Sequence, residues 1–570
     1  MDQALPETCD LLVIGSGAGG LSAAVTAAAL GLDVLVVEKE PVFGGTTAWS
    51  GGWMWIPRNP LALAAGIEED EETIRTYLRH ELGEGYDESL VTMLLKQGPL
   101  MVSFFQRDTA VDFIDGNLIP DFHGRTPGAG LGGRSLCAKP FDGRELGSRL
   151  ADLRPPLEDV APFGMNIGSG VDLGHFLNAT RRWRSFMHVL RRLGRHFADR
   201  IRHGRGLLLV NGNALAARLL KSADDLGVTL RKGTAAVELL REGGRVTGAV
   251  LDDGERRSVR ATRGVVLATG GFPHDDARKA ALFPHSPTGR EHWSAAPPAN
   301  TGDGIRLGEA AGGHLPVLPD AGAWSPVSLV PKPGGEIGRF PHLVERAKPG
   351  LIMVSRDGTR FCNEADSYHD VMQALFAATP PGEPACAWLV CDHAFLRRYG
   401  LGRVRPRPFP VGPWLRNGYL KRGESFAELA RSCGIEAVAF GETLETYNRH
   451  AIQGHDPAFG RGETPYNRIQ GDPEHGPNPC VAPIARGPFY AVKVVPGSLG
   501  TFAGLRTDAF ARVLGKDEAP ISGLYAVGND MSSMMAGRYP AGGITLGPAM
   551  TFGYVAAHHA SGVPLANNRS

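Results

Sequence analysis

Apolar and polar positions along this chain switch repeatedly between the period of a strand and that of a helix. Residues 10–14 form a short apolar, β-favouring run of the kind that makes a buried parallel strand. An alanine-rich stretch at 21–30 predicts a helix, ended by Gly31, and residues 33–37 return to the strand pattern. Residues 211–220 read as a further helix, and 228–230, 235–240 and 246–252 as strands. The last of these runs into Asp253-Gly254, a hairpin signal. Residues 264–271 and 523–530 each predict a buried strand that ends in small or polar residues. The chain closes with an apolar helix that begins near Thr545, immediately after a glycine turn.

One helical pattern is ambiguous. Between Arg181 and Arg205, residues Trp183, Phe186, Met187, Leu190, Leu193, Phe197 and Ile201 recur at helical spacing among Arg182, Arg184, Arg191, Arg192, Arg195 and Arg202. The plain expectation is a surface helix whose apolar face packs on its own domain. The alternative is a basic amphipathic helix in weak association with a membrane surface.

The turns between these elements carry chemistry. Gly15, Gly17 and Gly20 satisfy G-x-G-x-x-G between the first strand and its helix, with Ala18 inside the loop. The second strand is followed by Glu38 and Lys39, about twenty residues further on. Glycines there permit a tight turn and close approach of backbone to a pyrophosphate, and Glu38 accepts from ribose hydroxyls. FAD is expected rather than NAD, because a wrapped FAD needs protein along its whole length. Gly45, Thr46, Thr47, Ser50, Gly51 and Gly52 form a second glycine-rich loop. Ala268, Thr269 and Gly270 supply a third, Asn529 and Asp530 a fourth, and Gly543, Thr545 and Leu546 a fifth. In the last, backbone N–H groups at a helix N-terminus favour an anion, and Tyr539 stands just before the turn.

These loops come from both ends and the middle, so the fold class is α/β with a discontinuous Rossmann-like FAD-binding domain, residues 1–290 and 486–570. Residues 291–485, richer in Pro and Gly, form a second α+β catalytic or capping domain, with the substrate cleft between the two. By length alone, 570 residues would allow about four domains. A formal net charge of zero offers no footprint for nucleic acid. The 7 cysteines are scattered, without C-x-x-C spacing, which argues against a disulfide framework or a zinc site. With no signal peptide before the first strand and no long uninterrupted apolar run, a soluble cytoplasmic protein is expected. Oligomeric state stays open.

Gly44 to Gly52, Phe141-Asp142-Gly143-Arg144, Asn300-Thr301-Gly302-Asp303-Gly304, Arg360 to Tyr368 and Tyr539 to Gly553 are together specific. In them the chain resembles the flavoprotein 3-ketosteroid dehydrogenases, the Δ1 enzymes above all, within the wider fumarate reductase flavoprotein superfamily. The resemblance spans nearly the whole chain. It implies that the Tyr539 hydroxyl and the Gly543 N–H hold a ketone oxygen and that Tyr368 removes a proton from the adjacent carbon. Hydride then leaves for the flavin, and a quinone or artificial dye takes the electrons. The substrate implied is a cyclic ketone, a 3-ketosteroid oxidised at Δ1 in the first place, with a smaller ring or a Δ4-type oxidation as alternatives.

The chemistry is coherent without the family. A proton α to a ketone is so weakly acidic that donors on the oxygen are needed to stabilise the developing enolate. A tyrosine, with an ordinary pKa near ten, serves as base where positive potential or a relay helps it. One departure stands out: the steroid enzymes carry a helper tyrosine where residues 119–125 of this chain have none. His123 is the residue there able to pass a proton near neutral pH, and it reads equally as a structural histidine. Two rivals remain. The His-Pro-Thr and Arg-Gly-x-Gly patterns of fumarate reductases are missing, which disfavours an anionic substrate, and the tyrosines disfavour a non-catalytic flavin-binding protein.

Overall fold

A computed structural model describes residues 5–566. Strand Thr8–Ile14 lies at the centre of an 8-stranded sheet, parallel to Arg256–Leu267 on one side and to Val34–Glu38 on the other. Thr229–Lys232 extends the sheet beyond Val34–Glu38, and Pro520–Ala526 extends it beyond Arg256–Leu267, both in parallel. The strand cores are continuous apolar runs because helices cover the sheet. Helix Ala18–Ala29 packs against the C-terminal helix Leu546–Ser561, so segments more than five hundred residues apart in sequence share one core. Strands Arg245–Asp252 and Arg256–Leu267 form the expected hairpin at Asp253-Gly254, and Ala235–Glu242 pairs antiparallel on the other side of Arg245–Asp252.

A second, wholly antiparallel sheet runs Ile337–Pro341, Gly322–Pro331, Phe489–Thr501, Ala387–Asp392, Leu351–Val354, with Leu420–Gly423 also on Phe489–Thr501. Residue 486, where the sequence suggested a boundary, falls just before the longest strand of this sheet. Strand Phe489–Thr501 is central to the second sheet because it bonds to Gly322–Pro331, Ala387–Asp392 and Leu420–Gly423, and the chain re-enters the first sheet only at Arg512–Leu514.

The arginine-rich stretch does form a helix, Trp183–His203, but inside out relative to the plain expectation. Its buried residues are Ser185, His196 and Asp199, whereas Trp183, Phe186, Met187, Leu190, Phe197 and Ile201 are exposed. Polar contacts set the orientation. Asp172 takes His188 Nε2 at 2.6 Å and Arg192 Nη2 at 3.1 Å, while the Phe163 carbonyl meets His196 at 3.0 Å and Arg200 at 2.6 Å.

A buried ionic array shapes the loop before Tyr368. Arg360 bridges Glu364 at 2.8 Å and Asp456 at 2.8 Å, and Arg461 adds a third bond to Glu364 at 3.0 Å. Glu364 also accepts from the Met353 N–H at 2.9 Å, tying the loop to strand Leu351–Val354. Removing one member of such an array leaves charge uncompensated in the interior, at a cost of about 3–5 kcal/mol. Glu364→Gln is therefore expected to lower the urea unfolding midpoint of the FAD-loaded protein markedly. An unchanged midpoint would show that the array does not hold the loop.

Candidate active site

The carboxyl ends of the central parallel strands open into one long cavity. Every candidate cofactor residue lines it except Asp530. Asp530 is fully buried behind the wall, where its carboxylate accepts from Thr269 N at 2.5 Å and Gly271 N at 3.0 Å. It shapes the third loop instead of facing the cavity.

The nucleotide end fits FAD on its own geometry. Gly15 has φ +109°, and a Cβ there would stand 2.2 Å from the Ala268 carbonyl oxygen, so the turn admits no larger residue. Helix Ala18–Ala29 begins at Gly17 without a side-chain cap, and among the described residues the Gly19 and Gly20 N–H groups have no hydrogen-bond partner. Uncapped donors at a helix N-terminus facing a cavity suit a pyrophosphate. Thr47 braces the loop by accepting from Ala18 N at 2.9 Å. Glu38 accepts from Ser16 Oγ at 2.6 Å, and Lys39 pairs with Asp303 at 2.5 Å. Asn300 donates to Thr46 at 2.9 Å, which draws the segment 300–304 onto the second loop.

At the far end the cavity meets Tyr368, Tyr539 and Gly543 together. Tyr368 is the first residue of helix Tyr368–Ala378, capped by Ser367 Oγ, which accepts from Asp370 N at 3.2 Å. Tyr539 is held by the residue after it: the Pro540 carbonyl accepts from Tyr77 Oη at 2.7 Å and from Phe122 N at 2.9 Å. The two tyrosine rings meet edge to face, centroids 5.0 Å apart. Gly543 has φ +99°, and a Cβ there would lie 2.7 Å from the Met54 backbone. Its carbonyl takes the Trp55 N–H at 3.0 Å, and among the described residues its own N–H is unpaired.

Electrostatics separate the two phenols. Burial pushes the Tyr368 hydroxyl well up, and neighbouring Tyr539 adds to the effect. Burial also raises Tyr539, partly offset by hydrogen bonds with Tyr368 and Thr545. Arg346, which sequence reasoning missed, is a cation that opposes this rise at Tyr368. It is buried and forms no ion pair among the described residues. Its guanidinium instead donates to the carbonyls of His342 at 2.7 Å and Glu364 at 2.5 Å. The residue carries no motif, so nothing in the sequence singles it out.

His123 lines a second cavity, which Tyr539 also borders, and its ring is clamped between Glu81 at 2.5 Å and Asp370 at 2.8 Å. Burial opposes its charge, but hydrogen bonds to Asp370 and Glu81 outweigh that and lift its pKa to about 10. That shift favours the protonated ring at neutral pH, held between two carboxylates. Its neighbour Phe122 is the residue at the tyrosines, its ring 5.7 Å from both Tyr368 and Tyr539. Tyr466, also missed, packs at a tilt on Phe122, ring centroids 4.4 Å apart, and lines the same cavity as the two tyrosines. It lies almost a hundred residues from Tyr368, which hid the pairing from any local pattern.

A nucleotide cradle that ends on paired buried tyrosines and a free glycine N–H defines a flavoprotein dehydrogenase. The chain belongs to the FAD binding domain family, whose profile matches residues 10–546. It is an FAD-dependent oxidoreductase of the kind that acts on CH–CH bonds. It is 40% identical to the 4-oxocyclohex-2-ene-1-carboxylate 5-dehydrogenase of Sinomonas cyclohexanicum, over 96% of this chain and 92% of that one. It is 38% identical to the 3-oxosteroid 1-dehydrogenase of Mycolicibacterium smegmatis, over 96% of both. A crystal structure of 3-ketosteroid Δ1-dehydrogenase from Sterolibacterium denitrificans, in complex with 1,4-androstadiene-3,17-dione, superposes with a TM-score of 0.91. That pair shares 35% identity and covers 98% of this chain and 100% of the other.

Gly543→Ala combines a left-handed φ with a clash against the Met54 backbone. We expect at least a hundredfold loss of turnover with FAD still bound, read by visible absorbance and dye reduction. Full activity would mean the turn is not held as described.

Proposed function

We propose that this enzyme places a double bond beside the carbonyl of a neutral cyclic ketone, a 3-ketosteroid in the first instance (Δ1-dehydrogenation). The observation that supports this reading most is a charge-free wall around Tyr368, Tyr539 and the unpaired Gly543 N–H. The charged lining residues are Glu38, Lys39, Glu40, Arg154 and Asp303, all gathered at the nucleotide end, where Lys39 pairs with Asp303 and Arg154 with Glu40. Around the tyrosines the lining is Phe122, Leu343, Val344 and Tyr466. A carboxylate desolvated there would find no charged partner in the lining itself, at a cost of several kcal/mol. A neutral ring system carries no such penalty.

In this reading the Tyr539 hydroxyl and Gly543 N–H donate to the ketone oxygen, and both bonds strengthen as negative charge moves onto it. Tyr368 takes the proton from the α-carbon. Its place at a helix N-terminus and the Coulombic pull of Arg346 favour the phenolate that this role requires. Bound FAD supplies the acceptor for hydride from the neighbouring carbon. Phe122 and Tyr466 exclude water and fix the ring positions. The electrons pass on to a quinone or another acceptor. The loops at Gly15 to Gly20, Gly45 to Gly52, Ala268 to Gly270 and Thr545 to Leu546 hold the cofactor. A cytoplasmic site of action is consistent with seven free cysteines, and among the described residues no helix is long and apolar enough to cross a membrane.

A smaller cyclic ketone is the second reading, supported by the 40% identity to the cyclohexene-carboxylate enzyme. Anaerobic mixing of the yellow protein with 4-androstene-3,17-dione, cyclohexanone-type ketones, 4-oxocyclohexanecarboxylate and succinate separates them. Rapid bleaching by the steroid, with the 1,4-diene as product, supports the first reading. Bleaching by small ketones alone moves the substrate class, and bleaching by succinate alone overturns the tyrosine chemistry.

Tyr368→Phe and Tyr539→Phe should each lower kcat at least about a hundredfold with FAD retained. Because the Tyr368 pKa is raised, its base form is scarce at neutral pH and grows as pH climbs. kcat/KM should therefore rise about tenfold per pH unit between roughly pH 7 and 9. A flat profile across that range would exclude Tyr368 as the base.

A further inference from the structure

Between strands Phe141–Asp142 and Leu208–Leu209, which pair with each other, the chain makes a long excursion that carries helix Trp183–His203. This helix buries its polar side, as described above, and turns a continuous apolar face outward. Trp183 is 72% exposed, Phe186 44%, Leu190 52% and Ile201 86%, with Met187 and Phe197 between them. The spacing i, i+3, i+4, i+7, i+14, i+18 keeps all six on one side of the cylinder. Scattered single apolar residues on a surface need no explanation, but a stripe along five turns of one helix does.

The charges beside the stripe identify what it meets. Arg184, Arg191 and Arg202 are exposed and form no ion pair or hydrogen bond among the described residues, unlike Arg181, Arg182 and Arg195, which pair with Glu474 or Asp142. Unpaired guanidinium groups flanking an exposed aromatic and aliphatic stripe match a surface with an apolar interior and anionic headgroups. Arginine stems reach from the stripe to the headgroup level while the rings enter the acyl boundary. We propose that helix Trp183–His203 docks this enzyme on an anionic lipid bilayer as a peripheral, interfacial helix. The same excursion contributes Leu157 and Ser169 to the wall of the cofactor cavity. Docking thus brings that wall to the phase in which apolar ketones and quinones dissolve.

The test needs no turnover and does not depend on the substrate assignment. FAD-loaded protein is sedimented with phosphatidylcholine vesicles that contain or lack 30% phosphatidylglycerol, at low ionic strength. We expect binding to the anionic vesicles at least about tenfold tighter than to the neutral ones, weakening with salt. Arg184→Gln with Arg191→Gln and Arg202→Gln should remove that preference. Phe186→Ser with Leu190→Ser should abolish vesicle binding while leaving FAD content and dye-linked turnover unchanged. Absence of binding to anionic vesicles, or equal binding by the variants, overturns the proposal. So does a concentration-dependent dimer that Phe186→Ser with Leu190→Ser dissolves, since a second copy would then cover the stripe.

Discussion

The clasp of the C-terminal turn onto the N-terminal half is the constraint on which the site depends. The Pro540 carbonyl receives two donors, from Tyr77 and Phe122, and the Gly543 carbonyl receives the Trp55 N–H. Trp55 is fixed in turn through its indole, 2.9 Å from Asp121, whose other oxygen meets buried Arg134 at 2.5 Å. These few bonds place Tyr539 against Tyr368 and leave the Gly543 N–H free. No residue larger than glycine fits between Met54 and the turn, so the free donor and the tight approach are one requirement.

A second constraint is electrical. The two phenols sit where burial disfavours ionisation, yet the proposed chemistry asks one of them to act as a base. Arg346, a buried guanidinium with no ion pair among the described residues, and the N-terminal end of helix Tyr368–Ala378 oppose this in part. The charged His123 belongs to a different arrangement: its clamp by Glu81 and Asp370 ties the loop after Phe122 to helix Tyr368–Ala378.

The nucleotide half of the fold was readable because its determinants are local. Buried parallel strands, glycine turns and the acid after the second strand each occupy a few consecutive residues, and their expected limits differ from the observed ones by two or three residues at most for Thr8–Ile14, Val34–Glu38 and Arg245–Asp252. Tyr368, Tyr539 and Gly543 stood out through the short motifs that carry the resemblance, and all three line one cavity. What sequence could not give was set by partners distant in the chain. Strand Phe489–Thr501 took its sheet from pairing, Phe122 and not His123 met the tyrosines, and Tyr466 and Arg346 arrived from unpatterned loops. Helix Trp183–His203 shows the same limit: periodicity located the helix, but Asp172 and the Phe163 carbonyl decided which face turned inward.

The most direct test of the account follows two hydrogens separately. A 3-ketosteroid deuterated at the α-carbon, and another at the β-carbon, are mixed anaerobically with the wild-type protein and with Tyr368→Phe while flavin absorbance is recorded. The account predicts that wild type passes the α-label to solvent and shows a primary isotope effect on flavin bleaching from the β-label. It predicts that Tyr368→Phe loses α-label release and bleaching together. Release of the α-label from Tyr368→Phe at the wild-type rate would contradict it, because another group would then be removing the proton.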